Sequence, residues 1–183
     1  MQAFIINLFE YYKELGEKAI AQVSDDALFW MPDQKSNSIS VIVKHLHGNM
    51  MSRWTDFLTT DGEKPWRERD DEFEETLQSR DEMMSLWDEG WACVFDALKS
   101  VQPADLLKTV YIRNMGQTAE EAIMRQLAHY AYHTGQIVYL CRLANEGNWK
   151  SLTIPKNESK NYNSEKFNLE KRNKDFTDEF LKK

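Results

Sequence analysis

The chain has only two cysteines in 183 residues, Cys93 and Cys141. They stand alone, with no paired-cysteine metal spacing and no secretion signal, so both are expected to be reduced core residues rather than a disulfide or a thiolate zinc site. Basic charge is short as well. Lys and Arg number 23 against 30 Asp and Glu, a formal charge of −7 that opposes broad attraction to nucleic-acid phosphates. No apolar run is long enough for a membrane span. Phe4 to Phe9, in MQAFIINLFEYYKEL, is too short, meets charge too soon and lacks a basic leader, which predicts a soluble, cytoplasmic protein. There is no phosphate-binding glycine loop and no Ser-His-Asp order. The succession of strands that an α/β sheet requires is missing too.

What is present is helical periodicity, in four stretches. The first runs from about Ala3 to Val23, with Ile5, Leu8, Phe9, Tyr12 and Leu15 at spacings of three and four. Ser24 and Asp25 interrupt it, and a loop with Pro32, Ser36, Asn37 and Ser38 leads into the second. There Ile39, Ile42, Val43, Leu46, Met50, Trp54 and Phe57 form one stripe, ended by Asp61 and Gly62. Ser79 followed by Glu82 is a capping-box pattern that announces the third, which carries Met83, Leu86, Trp87, Trp91, Val94, Phe95 and Leu98 and closes at Pro103. TVYIRN reads as a short strand or an extended connector before Gly116, and one such run makes no sheet by itself. Thr118 and Glu121 form a second capping box, opening a fourth stripe through Ile123, Leu127, Tyr130, Ile137 and Cys141. The predicted fold is all-α: one four-helix bundle over residues 1–150, whose long connections need not give simple up-and-down packing. Residues 151–183, dominated by Asn, Lys, Ser and Glu, are expected to be a charged tail, partly disordered or forming a docked helix through Phe167, Leu169, Phe176, Phe180 and Leu181. The tryptophans and methionines, at helical spacing, default to core, although Trp87 and Trp91 one turn apart could instead cover a subunit interface.

Histidine is also scarce, with four in the chain, and its placement is the most informative feature. His129 and His133, in AHYAYHTGQIVYL, lie within roughly 40° of each other on a helix, bordering the apolar stripe. Two neutral imidazoles one turn apart can hold a common metal ion, although a bare HxxxH is more often a surface or hydrogen-bonded pair. The zinc-protease pattern needs Glu directly after the first His, and Tyr130 stands there instead. Gln126 and Gln136 flank the same side as candidate hydrogen-bond partners of the rings. A third histidine can come only from His45 or His47, which differ by about 200° on one helix and so cannot share an ion. Periodicity slightly prefers His47, roughly 75° from the middle of its stripe, while His45 lies further round beside Asn49, Ser38 and Ser52. The residues alone leave that choice open.

The loop DGEKPWRERDDEFEE offers Arg67 and Arg69 to grip a carboxylate or phosphate, with Trp66 over an apolar portion. Its acidic residues favour a solvated, salt-bridged surface loop over a substrate clamp. Arg53 and Trp54, at its helical root, read either as rim and core or as shapers of a pocket.

The run SISVIVKHLHGNM resembles the SIxxLLxHL segment of DinB-like (YfiT-like) proteins, and HYAYHTGQI resembles their later HxxxHxGQI segment. The resemblance covers roughly Met1 to Ala144, and within one branch it extends to GNMMSRWTDFLTTDGEKPWRERD and the SLTIP segment. It implies a four-helix bundle in which three histidines bind a divalent metal near one end of the helices. The HL alignment implies that these are His45, His129 and His133, with His47 a neighbour, and analogy with related bundles implies a homodimer. Proteins of this kind include thiol-dependent transferases or isomerases, and others thought to be hydrolases. The expectation is therefore a divalent-metal-dependent enzyme, using Zn, Ni or Fe, that transfers a low-molecular-weight thiol to a small electrophile; catalytic groups beyond the ligands are unassigned. The alternatives are a metal-dependent hydrolase and a metal-stabilised binding or stress-response module without turnover.

Overall fold

Three of the four long helices start where a side chain satisfies a free N–H group of the first turn. In the computed structural model, which describes residues 2–145 and 147–181, Ser38 Oγ accepts from the Val41 N–H to start α3. Ser79 does the same with Glu82 at the head of α4, but the Glu82 carboxylate reaches back to the Gln78 N–H, one residue earlier than the usual box. At α5 the box is complete: Thr118 accepts from the Glu121 N–H, and Glu121 accepts from the Thr118 N–H at 2.8 Å.

The helices are α1 (Gln2–Ile20), α2 (Asp25–Leu28), α3 (Ile39–Trp54), α4 (Arg80–Ser100), α5 (Ala119–Ala144) and α6 (Ser159–Phe167). The fold is all-α, as predicted, and among the described residues the one sheet is a small hairpin. The α3 stripe stops at Trp54 rather than running to Phe57, because Thr55 turns extended, with ψ 124°, and Asp56 then adopts a left-handed φ of 50°, which no right-handed helix accommodates. The principal packings are α3 on α4 and α1 on α5, with α3 also meeting α5. Consecutive long helices α1 and α3 therefore sit at opposite corners, so the bundle is not a simple up-and-down array.

Aromatic rings fill the centre. Phe9 meets Trp54 and Tyr130 edge-on at 5.8 and 5.9 Å, and Trp91 meets Tyr130 at 5.5 Å. Trp87 and Trp91 are almost wholly buried inside the chain, so the reading that places them on a subunit interface is excluded. The Trp54 indole N–H donates to the Tyr130 hydroxyl at 2.8 Å, and that hydroxyl donates to Asn49 Oδ1 at 3.2 Å, a buried polar thread through the core. Cys141 is buried and Cys93 half-buried, and both are free.

The run TVYIRN becomes strand β1 (Thr109–Ile112) and pairs antiparallel with β2 (Met115–Thr118), a partner the sequence reading missed. Arg113 and Asn114 both take left-handed φ, 54° and 61°, as a two-residue hairpin turn requires. The Asp61 carboxylate accepts from both of their N–H groups, at 2.9 and 2.8 Å. The long connection spanning 55–79 is thereby tied to the hairpin, while Lys44 of α3 binds its Asp71 and Glu74 carbonyls. Beyond Trp149, α6 is followed by a 3₁₀ turn, Phe176–Glu179, that rests on α1. Phe176 and Phe180 meet the Tyr11 ring at 5.5 and 5.6 Å, and Lys18 donates to the Phe180 carbonyl at 2.8 Å. No helix among the described residues is long and apolar enough to cross a membrane.

Candidate metal centre

His45 on α3 and His129 and His133 on α5 meet where those helices pack. One nitrogen from each of the three rings lies within 4.8 Å of the others. His133 Nε2 is 3.1 Å from His129 Nε2, and the His45 ring centroid is 4.9 Å from that of His133 and 5.5 Å from that of His129. The slight angular preference for His47 is overturned. The middle of the α3 stripe faces α4, and His47 follows it there, with its Nε2 3.0 Å from the Glu89 carboxylate. Closeness to the stripe measured closeness to α4, whereas the site lies on the flank that faces α5.

Burial and hydrogen bonding govern what each ring can offer a cation. Burial pushes His129 down to about 3, with further lowering from the neighbouring His133 and His45 rings and from Arg53 and Arg67. Burial also takes His133 down to about 4, against the opposing effect of its Gln136 hydrogen bond and with added lowering from His45. Both are therefore neutral at physiological pH. An ionised carboxylate only accepts, so His45 Nδ1–H donates to Glu72 Oε2 at 2.9 Å and leaves Nε2 free. In the same way Gln136 Oε1 accepts from His133 Nδ1–H at 2.8 Å. His129 Nδ1 is buried and has no partner among the described residues. If that nitrogen carries the proton, two Nε2 lone pairs face each other at 3.1 Å. A cation between them is what such a set of donors fits.

Glu72 was not foreseen. It follows His45 by 27 residues, in a run of acids whose spacing gives no sign of it. Burial opposes its charge, but hydrogen bonds from His45 and Arg67, and the charge on Arg67, outweigh this and hold its carboxyl below the usual range. Arg67 grips it through two parallel bonds, Nε to Oε1 at 2.7 Å and Nη2 to Oε2 at 2.9 Å. The DGEKPWRERDDEFEE segment is thus salt-bridged and largely exposed, as expected, but Arg67 departs from this, with a side chain only 2% exposed. Arg67 spends its donors on Glu72 and Glu63 rather than on the less favoured alternative, a clamp with Trp66, and Trp66 points to solvent at 56% exposure. Phe73, next to Glu72, stacks on the His45 ring at 4.8 Å. Arg53 joins the wall of the site and bonds Glu63 at 3.0 Å, while Trp54 is core.

The three rings border an open pocket of about 380 Å³ shared with Asn49, Gln126 and Tyr132 and rimmed by arginines. A family model described as a protein of unknown function (DUF1572) matches residues 2–158, which takes in the four long helices, the connection bearing Glu72 and the hairpin. The chain belongs to the DUF1572 family. No curated protein and no solved structure matches it. In this DUF1572 member every residue of the centre lies inside the matched region.

One residue of the DUF1572 chain permits the Glu72 contact by what it lacks. Gly48 lies one turn beyond His45 on α3, and a Cβ there would fall 2.7 Å from Glu72 Cδ and 3.1 Å from Cγ. Helix propensity alone predicts that Gly48→Ala stabilises the protein by about 1 kcal/mol. The structure predicts the opposite sign, a loss of about 1–3 kcal/mol from overpacking, because Glu72 cannot yield without leaving His45 and Arg67. Metal affinity should fall roughly ten- to hundredfold, as it should in Glu72→Gln, since both disturb the partner that orients a ligand. Urea unfolding and chelator competition read the two effects; a more stable G48A protein with unchanged affinity would contradict both.

Proposed function

We propose that this chain is a divalent-metal-dependent enzyme of the DinB-like kind that transfers a low-molecular-weight thiol to a small electrophile, with His45, His129 and His133 as the metal ligands. The observation that carries this reading is the convergence of three imidazoles, two of them oriented from behind by Glu72 and Gln136, beside an open pocket. When bound, a zinc, nickel or iron ion would supply Lewis acidity that lowers the pKa of a coordinated thiol, and three protein ligands would leave room for that thiol.

The chain's own residues do the rest. Glu72 holds the His45 proton on Nδ1, and Arg67 keeps Glu72 ionised while it does so. Gln136 sets the His133 tautomer, and Phe73 braces the His45 ring. The two carboxylates close to the pocket are both occupied, Glu72 by His45 and Arg67, and Glu63 by Arg53, Arg67 and Arg113. Neither is a free general base for water, which favours thiol addition over hydrolysis as the second reading. A cytoplasmic location belongs to this proposal as an expectation from the sequence, and a homodimeric state through the DinB-like resemblance.

Purified protein loaded in turn with Zn, Ni and Fe tests the proposal when assayed with panels of thiols and electrophiles. We expect one ion per chain and thiol consumption that chelation abolishes. Ester or amide cleavage without added thiol would favour the hydrolase. Fully loaded protein that turns over nothing would favour a binding module and overturn the transferase.

A further inference from the structure

The chain is acidic overall, yet five arginines, Arg53, Arg67, Arg69, Arg113 and Arg125, line the pocket above the histidines. Two carboxylates answer them. Glu63 pairs with Arg53, Arg67 and Arg113, and Glu72 pairs with Arg67. Arg69 and Arg125 make no ion pair among the described residues, although acids outnumber bases in the chain. Arg69 is nonetheless held in place. Its guanidinium sits over the Phe73 ring at 5.1 Å, and Phe73 stacks on His45, so an unneutralised cation stands one ring away from the candidate ligands. Like charges gathered around a concave site focus a positive potential into it.

We propose that this pocket binds a small anionic substrate, with Arg69 and Arg125 gripping its carboxylate or phosphate group and the rest of the molecule lying towards the three histidines. Guanidinium forks suit planar or tetrahedral oxyanions, and a volume of about 380 Å³ suits a small metabolite rather than a polymer. The proposal deepens the reading above by giving the small substrate a charge, but the anion site itself stands on the arginines and rests on that reading only for what reacts. Hydrolysed or thiolated, the substrate keeps its charged handle, which lies at the rim rather than at the reacting end.

The probes are succinate, its uncharged counterpart succinamide, and inorganic phosphate, titrated calorimetrically into full-length protein with and without zinc. Binding of succinate or phosphate to the metal-free protein, weakened at least tenfold in Arg69→Gln/Arg125→Gln with zinc content and melting temperature unchanged, supports the proposal. Both side chains are exposed at the rim, so the double variant should fold. Phosphate binding without succinate binding assigns the handle to a phosphate ester, and the reverse assigns it to a carboxylic acid. Equal binding of succinamide overturns the proposal, as does anion binding that appears only with zinc and ignores both substitutions. Anion binding in a protein that takes up no metal would sink the enzyme reading and leave this one standing. Metal-dependent thiol transfer with the same KM for every charged substrate in the double variant would do the converse.

Discussion

Alanine at His133 is expected to leave a folded protein that no longer retains metal. Removing an outer hydrogen-bond partner of a ligand typically costs about ten- to hundredfold in affinity, and loss of the ligand itself should exceed the upper end of that, ~100-fold. His129→Ala and His45→Ala should behave alike, because one nitrogen of each ring belongs to the same cluster. His47→Ala is the internal control: its ring faces Glu89 on α4, so the variant should keep wild-type metal content. The rings of His129 and His133 lie on the flank of the core and are only partly buried, so truncation should not unfold the bundle. Metal analysis after dialysis reads the loss directly. Melting gives a second readout, since an ion at a thousandfold excess over its Kd stabilises the native state by about 4 kcal/mol, a gain the wild type should show and the His133 variant should lack. Undiminished metal content in that variant would remove the basis for the centre.

The largest loss of stability is expected at Trp91. Its ring touches Phe9, Trp87, Phe95 and Tyr130, at centroid distances from 5.5 to 6.5 Å, and it is wholly buried. Truncation to alanine removes those contacts from three helices at once and leaves a cavity that such rigid rings cannot collapse into, so a cost of about 3–5 kcal/mol is expected. Trp91→Phe should cost roughly half of that or less, because the indole N–H is buried without an acceptor among the described residues and no hydrogen bond is lost with it. Trp54→Phe is the useful contrast, since its N–H does have an acceptor, the Tyr130 hydroxyl. Guanidinium midpoints at constant slope would rank the three. A phenylalanine at 91 as damaging as an alanine would mean that the indole N–H has a partner after all.

What the sequence made legible was local. Capping signals at Ser79 and Thr118 mark the starts of α4 and α5 because they are written within four residues of each other. His129 and His133 are legible as a pair because a single helix fixes their relation. His45 was not derivable from its own stripe, since periodicity records which side of α3 is buried but not which neighbour buries it; the family resemblance supplied the choice. Strand β2 was missed because Met-Gly-Gln-Thr has no alternation of apolar residues and Arg113-Asn114 is an unusual pair for its turn. Glu72 was hidden for a deeper reason. Among the many acids of its segment it is singled out only by where the connection folds, and that depends on remote anchors such as the hairpin turn that holds Asp61 and Lys44 on α3. The five arginines were scattered through the sequence at 53, 67, 69, 113 and 125, and only the tertiary fold turns them into one rim.

The placement of Glu72 in a short 3₁₀ turn of a connection, rather than on one of the long helices, gives the site an order of assembly. Two rings share α5 and come together as soon as that segment winds, before the chain has made any distant contact. The third is steered only once residues 55–79 have closed over α3, a slower event because it must first overcome the entropy of a long loop. A cation that meets the folding chain before that closure therefore finds two of the three ligands together, and the seat is complete only when the strap comes down.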